Sequence, residues 1–299
     1  MGGAKWIGAI TRKDARLPEG RTYTGAVLKE TKALWAQADT LSRRSIILRR
    51  SFKPYKAVRQ AELRICGLGF YELTLNGQKI GESEFAPHWS DYDKTVFFNT
   101  YDVTHELTAG DNEFRVLLGN GFYNEQGGRY HKLKVSFGPP TLLFFLYVIY
   151  DDNTRERLLS DAQWQWTESP VTFNSIYGGE DYDARLEASP NPSEGGKDWK
   201  PVVMMEGPKG RLMPQMAYPV KQMERYNIKD TMQYIPSPTG GLVGGTLVLD
   251  MGQNVAGFPE ITVQGEAGKQ LKLTPGETLN DDGLINQKQT GRPHYNTYI

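Results

Sequence analysis

Asn76 and Gly77 sit between stretches in which apolar and polar residues alternate, and this pair most restricts the fold. Before it, Leu73 and Leu75 alternate with Glu72 and Thr74, and Ile80 follows it. Asn-Gly in that setting specifies a type I′ hairpin, because both central residues must take positive φ. The reading extends over residues 61–81, since Leu63 and Ile65 also alternate with charged residues. A second hairpin is expected from 142–150, a turn at Asp151-Asp152-Asn153-Thr154, and 155–159. Its first arm is apolar at nearly every position, as in a central strand covered on both faces. A third is expected from 261–263, a turn over 265–268, and 271–273. Helical periodicity is scarce. One short candidate spans 28–41, with Leu28, Thr31, Leu34, Trp35, Ala38 and Leu41 on one side. Short strands with frequent turns predict an all-β chain of sandwich architecture.

The chain has 299 residues, which predicts two domains. With 38% hydrophobic residues it has material for packed cores. Lys+Arg and Asp+Glu are each 35, so the formal net charge is zero and the basic excess of a nucleic-acid binder is missing. No apolar run approaches the roughly 20 residues of a membrane helix. Cys66 is the one cysteine, which excludes an intrachain disulfide and a cysteine zinc site, and it reads as a buried apolar residue. Residues 2–10 lack the apolar core of a signal peptide.

Glycines and prolines crowd residues 188–210, which argues against regular structure there and for a covering loop or connection. A second break falls at Pro236-Ser237-Pro238-Thr239-Gly240-Gly241. The boundary is placed near residue 218, giving a sandwich over 1–218 and the start of a second, truncated β-sandwich over 219–299. Residues 295–299 have the pattern of a strand, so the chain is expected to be the front of a longer protein.

There is no phosphate loop, HExxH or GxSxG motif, and His88, His105, His131 and His294 lack ligand spacing. Asp151-Asp152 and Asp281-Asp282-Gly283 read as turns. Glu180-Asp181-Tyr182-Asp183, followed by Arg185, leaves two readings open. One is a strand-entry turn with an Asp–Arg pair. The other is a site for calcium or for sugar hydroxyls, since carboxylates satisfy both. In Leu118-Gly119-Asn120-Gly121-Phe122-Tyr123-Asn124, followed by Gly127-Gly128-Arg129, aromatics beside amides and an arginine suit a sugar. The competing reading is a turn that packs Phe122 and Tyr123 into the core.

Several segments resemble the front of bacterial α-L-rhamnosidases of glycoside hydrolase family 78. They are Trp6-Ile7-Gly8-Ala9, Leu48-Arg49-Arg50-Ser51-Phe52, Gly69-Phe70-Tyr71-Glu72-Leu73, Pro87-His88-Trp89-Ser90-Asp91-Tyr92 and Leu118-Gly119-Asn120-Gly121-Phe122-Tyr123. Glu180-Asp181-Tyr182-Asp183-Ala184-Arg185 is similar to the family's Gly-Glu-x-Tyr-Asp-Ala-Arg segment. Asp250-Met251-Gly252-Gln253-Asn254-Val255-Ala256-Gly257 is similar to the Asp-x-Gly-Gln-Asn-x-x-Gly signature that opens its next β-domain. Phe122 stands where the family usually has Trp, and His88 where it has Gly.

The resemblance implies a galactose-binding-like jelly roll ahead of a second β-domain. It implies an inverting enzyme that removes terminal L-rhamnose from glycans or glycosides with two carboxyl groups. Those groups lie on a downstream (α/α)6 barrel of the same polypeptide, so no catalytic residue is assigned in this chain. It also implies a periplasmic or extracellular setting. Carbohydrate binding is carried over to Asn120, Tyr123, Glu180 and Asp183. No cofactor is required, with Ca2+ as the candidate ion, because a related domain in some members binds L-rhamnose through calcium. Three roles follow: the non-catalytic front of a rhamnosidase, a calcium-assisted carbohydrate-binding module, or a structural spacer in which Gly252 and Gly257 supply turns.

Overall fold

The computed structural model describes residues 2–18, 32–129, 134–187, 198–235, 245–288 and 293–299. The strands of the front part are β1 (Ile7–Gly8), β2 (Ile46–Phe52), β3 (Val58–Leu68), β4 (Tyr71–Leu75), β5 (Gln78–Lys79), β6 (Thr95–Asp102), β7 (Asn112–Leu118), β8 (Asn124–Glu125), β9 (Val135–Ser136), β10 (Thr141–Tyr150), β11 (Arg155–Leu159), β12 (Gln165–Glu168), β13 (Val171–Ser175), β14 (Gly179–Tyr182), β15 (Lys200–Pro201), β16 (Val203–Met204) and β17 (Arg211–Pro214). They are followed by β18 (Asp230–Ile235), β19 (Thr246–Asp250), β20 (Leu271–Leu273), β21 (Thr278–Leu279), β22 (Ile285–Asn286) and β23 (Asn296–Tyr298).

Two sheets make the front sandwich. One runs β16-β1-β10-β3-β6-β17, with β11 paired to β10, and the other runs β15-β12-β2-β7-β4-β5. Period-2 alternation builds the core between them. Leu48, Leu73 and Val116 from one sheet meet Leu63, Phe144 and Leu146 from the other. The opposite face of β3 and β10 is covered as well, by a smaller core in which Cys66, Leu68 and Leu143 pack with Tyr92, Val96 and Tyr123. This second cover explains the unbroken apolar run of β10, as expected of a central strand.

The Asn-Gly turn forms as read. Asn76 has φ 54° and Gly77 φ 81° between β4 and β5. The Asn76 side chain accepts from Glu113 N at 3.0 Å and donates to Asn112 Oδ1 at 2.9 Å, which pins the turn to β7. Leu63 and Ile65 do not share this hairpin's sheet, since β3 pairs with β10 and β6. The β10–β11 hairpin holds register from Phe145↔Leu159 to Ile149↔Arg155. The third expected hairpin does not form. Residues 261–263 carry no strand, with Ile261 and Val263 exposed, and Leu271–Leu273 pairs instead with β23.

The stretch 188–210 is not wholly irregular. β15 and β16 lie within it and cap one edge of each sheet, while 188–197 fall outside the described residues. Of the helical candidate over 28–41, residues 32–37 are helical, a 3-10 turn follows at Thr40–Arg43, and 28–31 lie outside the described residues. Trp35 is buried there against Ala15 and Leu17. The Asp281-Asp282-Gly283 and Asp151-Asp152 turns form, with Asp282 and Asp152 accepting from Leu284 N and Thr154 N.

The front sandwich runs on past residue 218 to Val220, whose carbonyl accepts from Glu84 N at 2.8 Å. The later strands then return to the front part. β23 pairs in parallel with β14, so one sheet runs β13-β14-β23-β20 across both parts of the chain. β18 and β19 form a separate two-stranded ribbon that ends at Asp250. Gly252 takes φ 80° in the turn after it, whereas Gly257 is not in the positive-φ region and has no atom close to its Cβ position.

Candidate functional site

Four loops converge at one end of the front sandwich. Gly69-Phe70 joins β3 to β4, residues 85–89 follow β5, residues 119–123 follow β7, and residues 176–178 cap the β13–β14 hairpin. Backbone bonds tie them, with Gly119 N donating to Phe70 O and Tyr71 N to Ala86 O, each at 2.8 Å. Gly69 and Gly121 interlock. A Cβ on Gly69 would lie 2.2 Å from Gly119 O, and one on Gly121 would lie 2.9 Å from Gly69 C. Only a backbone without side chains can pass so closely.

Around this joint the 119–123 loop divides its side chains. Asn120 is 1% exposed and faces inward. Its amide donates to Arg43 O and, at 3.1 Å, to Asn174 O; its Oδ1 accepts from Asn124 Nδ2 at 3.0 Å. Its own N–H donates to Asn174 Oδ1 at 2.8 Å. Tyr123 is 2% exposed, stacked on Phe137 at 5.8 Å and edge-on to Tyr92 at 5.1 Å. Burial pushes the Tyr123 phenol well above its ordinary pKa. Both residues expected to meet a sugar therefore spend their side chains inside the fold, as buried polar and aromatic groups do when a loop must be held rigid.

Phe122, between them, faces the other way. It is half-buried and touches three rings, Trp89 at 5.4 Å, Tyr177 at 6.1 Å and Phe70 at 6.3 Å, and Phe70 in turn meets Phe85 at 5.5 Å. Trp89 is 61% exposed and Phe85 54%. The aromatic shelf comes from sequence positions far apart, and the mixed apolar pattern of 119–123 did not reveal which ring turns outward.

The acidic segment divides in the same manner. Asp183 accepts from Arg185 Nε at 2.8 Å and Nη2 at 2.7 Å, and caps the turn through Arg185 N at 3.1 Å. The Arg185 hydrogen bonds hold its carboxyl below the ordinary value. This is the Asp–Arg turn of the first reading. Asp181 is paired with Arg129 and accepts from the Thr297 hydroxyl. Glu180 is exposed, and its carboxylate makes no hydrogen bond or ion pair among the described residues. Although the residue as a whole is exposed, the protein packed around its carboxyl end, and secondarily the Asp181 charge, raise its pKa. Glu180 lies across the hairpin from Asn174, the residue that holds Asn120. Two of the three acids, Asp181 and Asp183, are thus engaged by arginines. Among the described residues no group of three or more His, Cys, Asp or Glu side chains gathers to hold a metal.

Glu125 is the buried carboxylate behind this end, 1% exposed. It accepts from Gly127 N and Ser175 Oγ at 2.8 Å and from Ile176 N at 3.0 Å, anchoring the hairpin tip; burial raises its pKa. A groove of about 320 Å³ lies elsewhere, along β6 between residues 99–101 and the strap 214–221.

Residues 56–224 match the alpha-L-rhamnosidase N-terminal domain, and residues 242–299 match the bacterial alpha-L-rhamnosidase concanavalin-like domain. The chain belongs to the α-L-rhamnosidase N-terminal domain family. It is 32% identical to an alpha-L-rhamnosidase of Formosa agariphila over 76% of its length and 33% identical to one of Streptomyces avermitilis over 84%, spanning 24% of each relative. Among solved structures, it is similar to the alpha-L-rhamnosidase of Dictyoglomus thermophilum, with 28% identity and a TM-score of 0.75 over 99% of this chain and 31% of that one. The Streptomyces avermitilis enzyme, solved in complex with L-rhamnose, gives a TM-score of 0.74 at 32% identity, over 85% of this chain and 24% of that one. These solved rhamnosidases thus share the β fold described above. Among the described residues no helix is long and apolar enough to cross a membrane.

Proposed function

We propose that this chain acts as the non-catalytic front of an α-L-rhamnosidase-like glycoside hydrolase, and that its work is to hold a downstream catalytic domain in place. The carrying observation is the β14–β23 pairing, reinforced where the Arg129 guanidinium bonds Asp181 and Tyr295 O at 2.7 Å. Residues matching the concanavalin-like domain are thereby knitted into the hairpin of the front sandwich. A shared sheet transmits position far better than a flexible linker, which is what a scaffold for a separate active site requires.

The domain reading keeps a front sandwich over about 1–218, to which the Glu84–Val220 bridge adds two residues, and a second β-domain after it. The substrate class is terminal L-rhamnosides, and the setting is periplasmic or extracellular. The calcium-assisted reading loses support, because Asp181 and Asp183 are engaged by arginines. The test compares this chain with the full-length polypeptide on an aryl α-L-rhamnoside. The expected result is no release of rhamnose by the chain alone and release with inversion by the full-length protein. Turnover by the chain alone, or none by the full-length protein, overturns the proposal.

A further inference from the structure

In the segment Leu48-Arg49-Arg50-Ser51-Phe52, Leu48 and Phe52 enter the core and the two arginines between them do not. Adjacent strand residues ordinarily point to opposite faces. Arg49 and Arg50 nevertheless line one cleft of about 240 Å³, together with Ser51, Glu113, Gln163 and Gln165. The register explains this. β12 begins at Gln165, opposite Arg49, so Arg50 and Ser51 have no partner on that strand. Arg50 reaches across the open edge to the preceding turn, where its Nη1 donates to Gln163 O at 3.0 Å and its Nη2 to Gln163 Oε1. The cleft lies beside the start of β7, whereas the aromatic shelf follows the end of that strand.

The cleft is built of donors. Arg49 donates from Nε and Nη2 to Gln165 Oε1 at 3.1 and 2.9 Å. A guanidinium carries donors only, so each glutamine turns its oxygen to an arginine and leaves its amide nitrogen for another partner. Gln163 Nε2, Gln165 Nε2 and Ser51 Oγ meet no acceptor among the described residues. Charge points the same way. Arg50 has no carboxylate within ion-pair reach among the described residues, and its Nε–H is buried without an acceptor. Arg115 lies across from Arg49 in the β2–β7 register. Against these three guanidiniums stands Glu113, which is paired with Arg115 Nε and lies 3.8 Å from Arg49 Nη1. Asp161 accepts from Gln163 N at 2.9 Å and does not line the cleft.

We infer that this cleft binds an oxyanion, a sulfate or carboxylate group, between the guanidiniums of Arg49 and Arg50, with the amide nitrogens of Gln163 and Gln165 completing the donor set. Such groups match the parallel N–H bonds of a guanidinium. The cleft is smaller than the roughly 300–1,000 Å³ of a site for a drug-sized molecule, so it takes a single charged group. Arg49 is held in advance, with its guanidinium 3.9 Å from the centre of the Trp199 ring and forked onto Gln165. A donor fixed in this way loses less freedom on binding.

The experiment is an NMR titration of this chain with sodium sulfate and, separately, sodium acetate, with sodium chloride keeping the ionic strength constant. The side-chain amide signals of Gln163 and Gln165 are followed, and circular dichroism checks the fold of each variant. The expected result is a saturable shift of both amides. Arg50→Gln weakens binding about tenfold, the loss of one charged donor group. Glu113→Gln, which removes the one carboxylate lining the cleft, tightens it about threefold, a gain that damage to the fold does not produce and that decides the matter should Arg50→Gln fail to fold. Lys269→Ala, which removes an exposed ammonium of the later segment, leaves binding unchanged. Saturation by sulfate alone, or by acetate alone, upholds the cleft and assigns its group. Shifts that stay linear in both salts overturn the proposal and reduce the effect to screening. Binding that a folded Arg50→Gln leaves intact, or that Glu113→Gln does not tighten, overturns it as well.

Discussion

Arg129 and Asp181 form an ion pair inside the front part of the chain, and each of them also bonds the last strand segment, Arg129 to Tyr295 O and Asp181 to the Thr297 hydroxyl. The same guanidinium packs over the rings of Tyr295 at 3.6 Å and Phe173 at 4.4 Å. Arg129 comes from the loop after β8, Asp181 from β14, and Tyr295 and Thr297 from the last described strand and its approach. One side chain thus closes three segments at once.

Replacing Arg129 with Ala removes the counter-charge of a partly buried carboxylate, leaving Asp181 only its Thr297 donor, and takes the guanidinium bond from the Tyr295 carbonyl. The expected cost is about 2–3 kcal/mol, between that of an exposed and of a fully buried pair. Lys is expected to recover only part of it, because an ammonium cannot bond two acceptors in a fixed plane while stacking on two rings. Urea denaturation of the two variants measures both, and equal stability of Arg129→Ala and the parent chain would sink the clamp.

Asn120→Ala is expected to destabilise the fold by about 1–3 kcal/mol, because the Arg43 and Asn174 carbonyls lose a buried donor. Asn120→Asp is expected to be worse, since it turns an oxygen toward those carbonyls. Thermal melts decide the point; a variant with parental stability would mean that the amide is not structural.

Gly69→Ala is expected to cost about 2–4 kcal/mol, since a methyl 2.2 Å from Gly119 O must push the 119–123 loop away. The shift should appear as altered NMR signals of Phe122 and Trp89. Unchanged signals would show that the interlock does not set the shelf.

Glu125 supplies a pH dependence. Its pKa is raised in the fold, so the native state holds the proton more tightly than the unfolded chain. The stabilising contribution is therefore complete below the unfolded value, near 4.5, and is lost as pH rises through the folded value. Glu125→Gln should remove that decline. It should also cost stability throughout, because one amide nitrogen must face an N–H or O–H donor. Stability measured from pH 4 to 8 in the parent and the variant tests this, and parallel curves would contradict it.

How far the residues could be read follows from the range of each interaction. The type I′ turn at Asn76-Gly77 was legible because it depends on two adjacent φ angles. The strand Thr141–Tyr150 was legible because its apolar run requires cover on both faces, which the two cores supply. The Asp183–Arg185 pair was among the readings because its partners lie two residues apart. The hairpin over 261–273 failed for the complementary reason. Leu271–Leu273 carries a strand pattern, but alternation does not name a partner, and Asn296–Tyr298 took the place given to 261–263.

The loop-end site shows the same limit. Phe122 and Tyr123 are adjacent aromatics, and nothing in their composition distinguishes outward from inward. The close passage of Gly69 against the 119–121 backbone, with Asn174 and Arg43 fixing Asn120, sends Tyr123 into the small core and leaves Phe122 beside Trp89. Local chemistry was sufficient for the all-β class, its turns and the inward faces of its strands, because backbone sterics and period-2 burial act between near neighbours. Strand partners, the sheet shared by the two halves, and the ring that meets solvent were settled by contacts between residues tens to more than a hundred positions apart. Those contacts exist only once the sheets have packed.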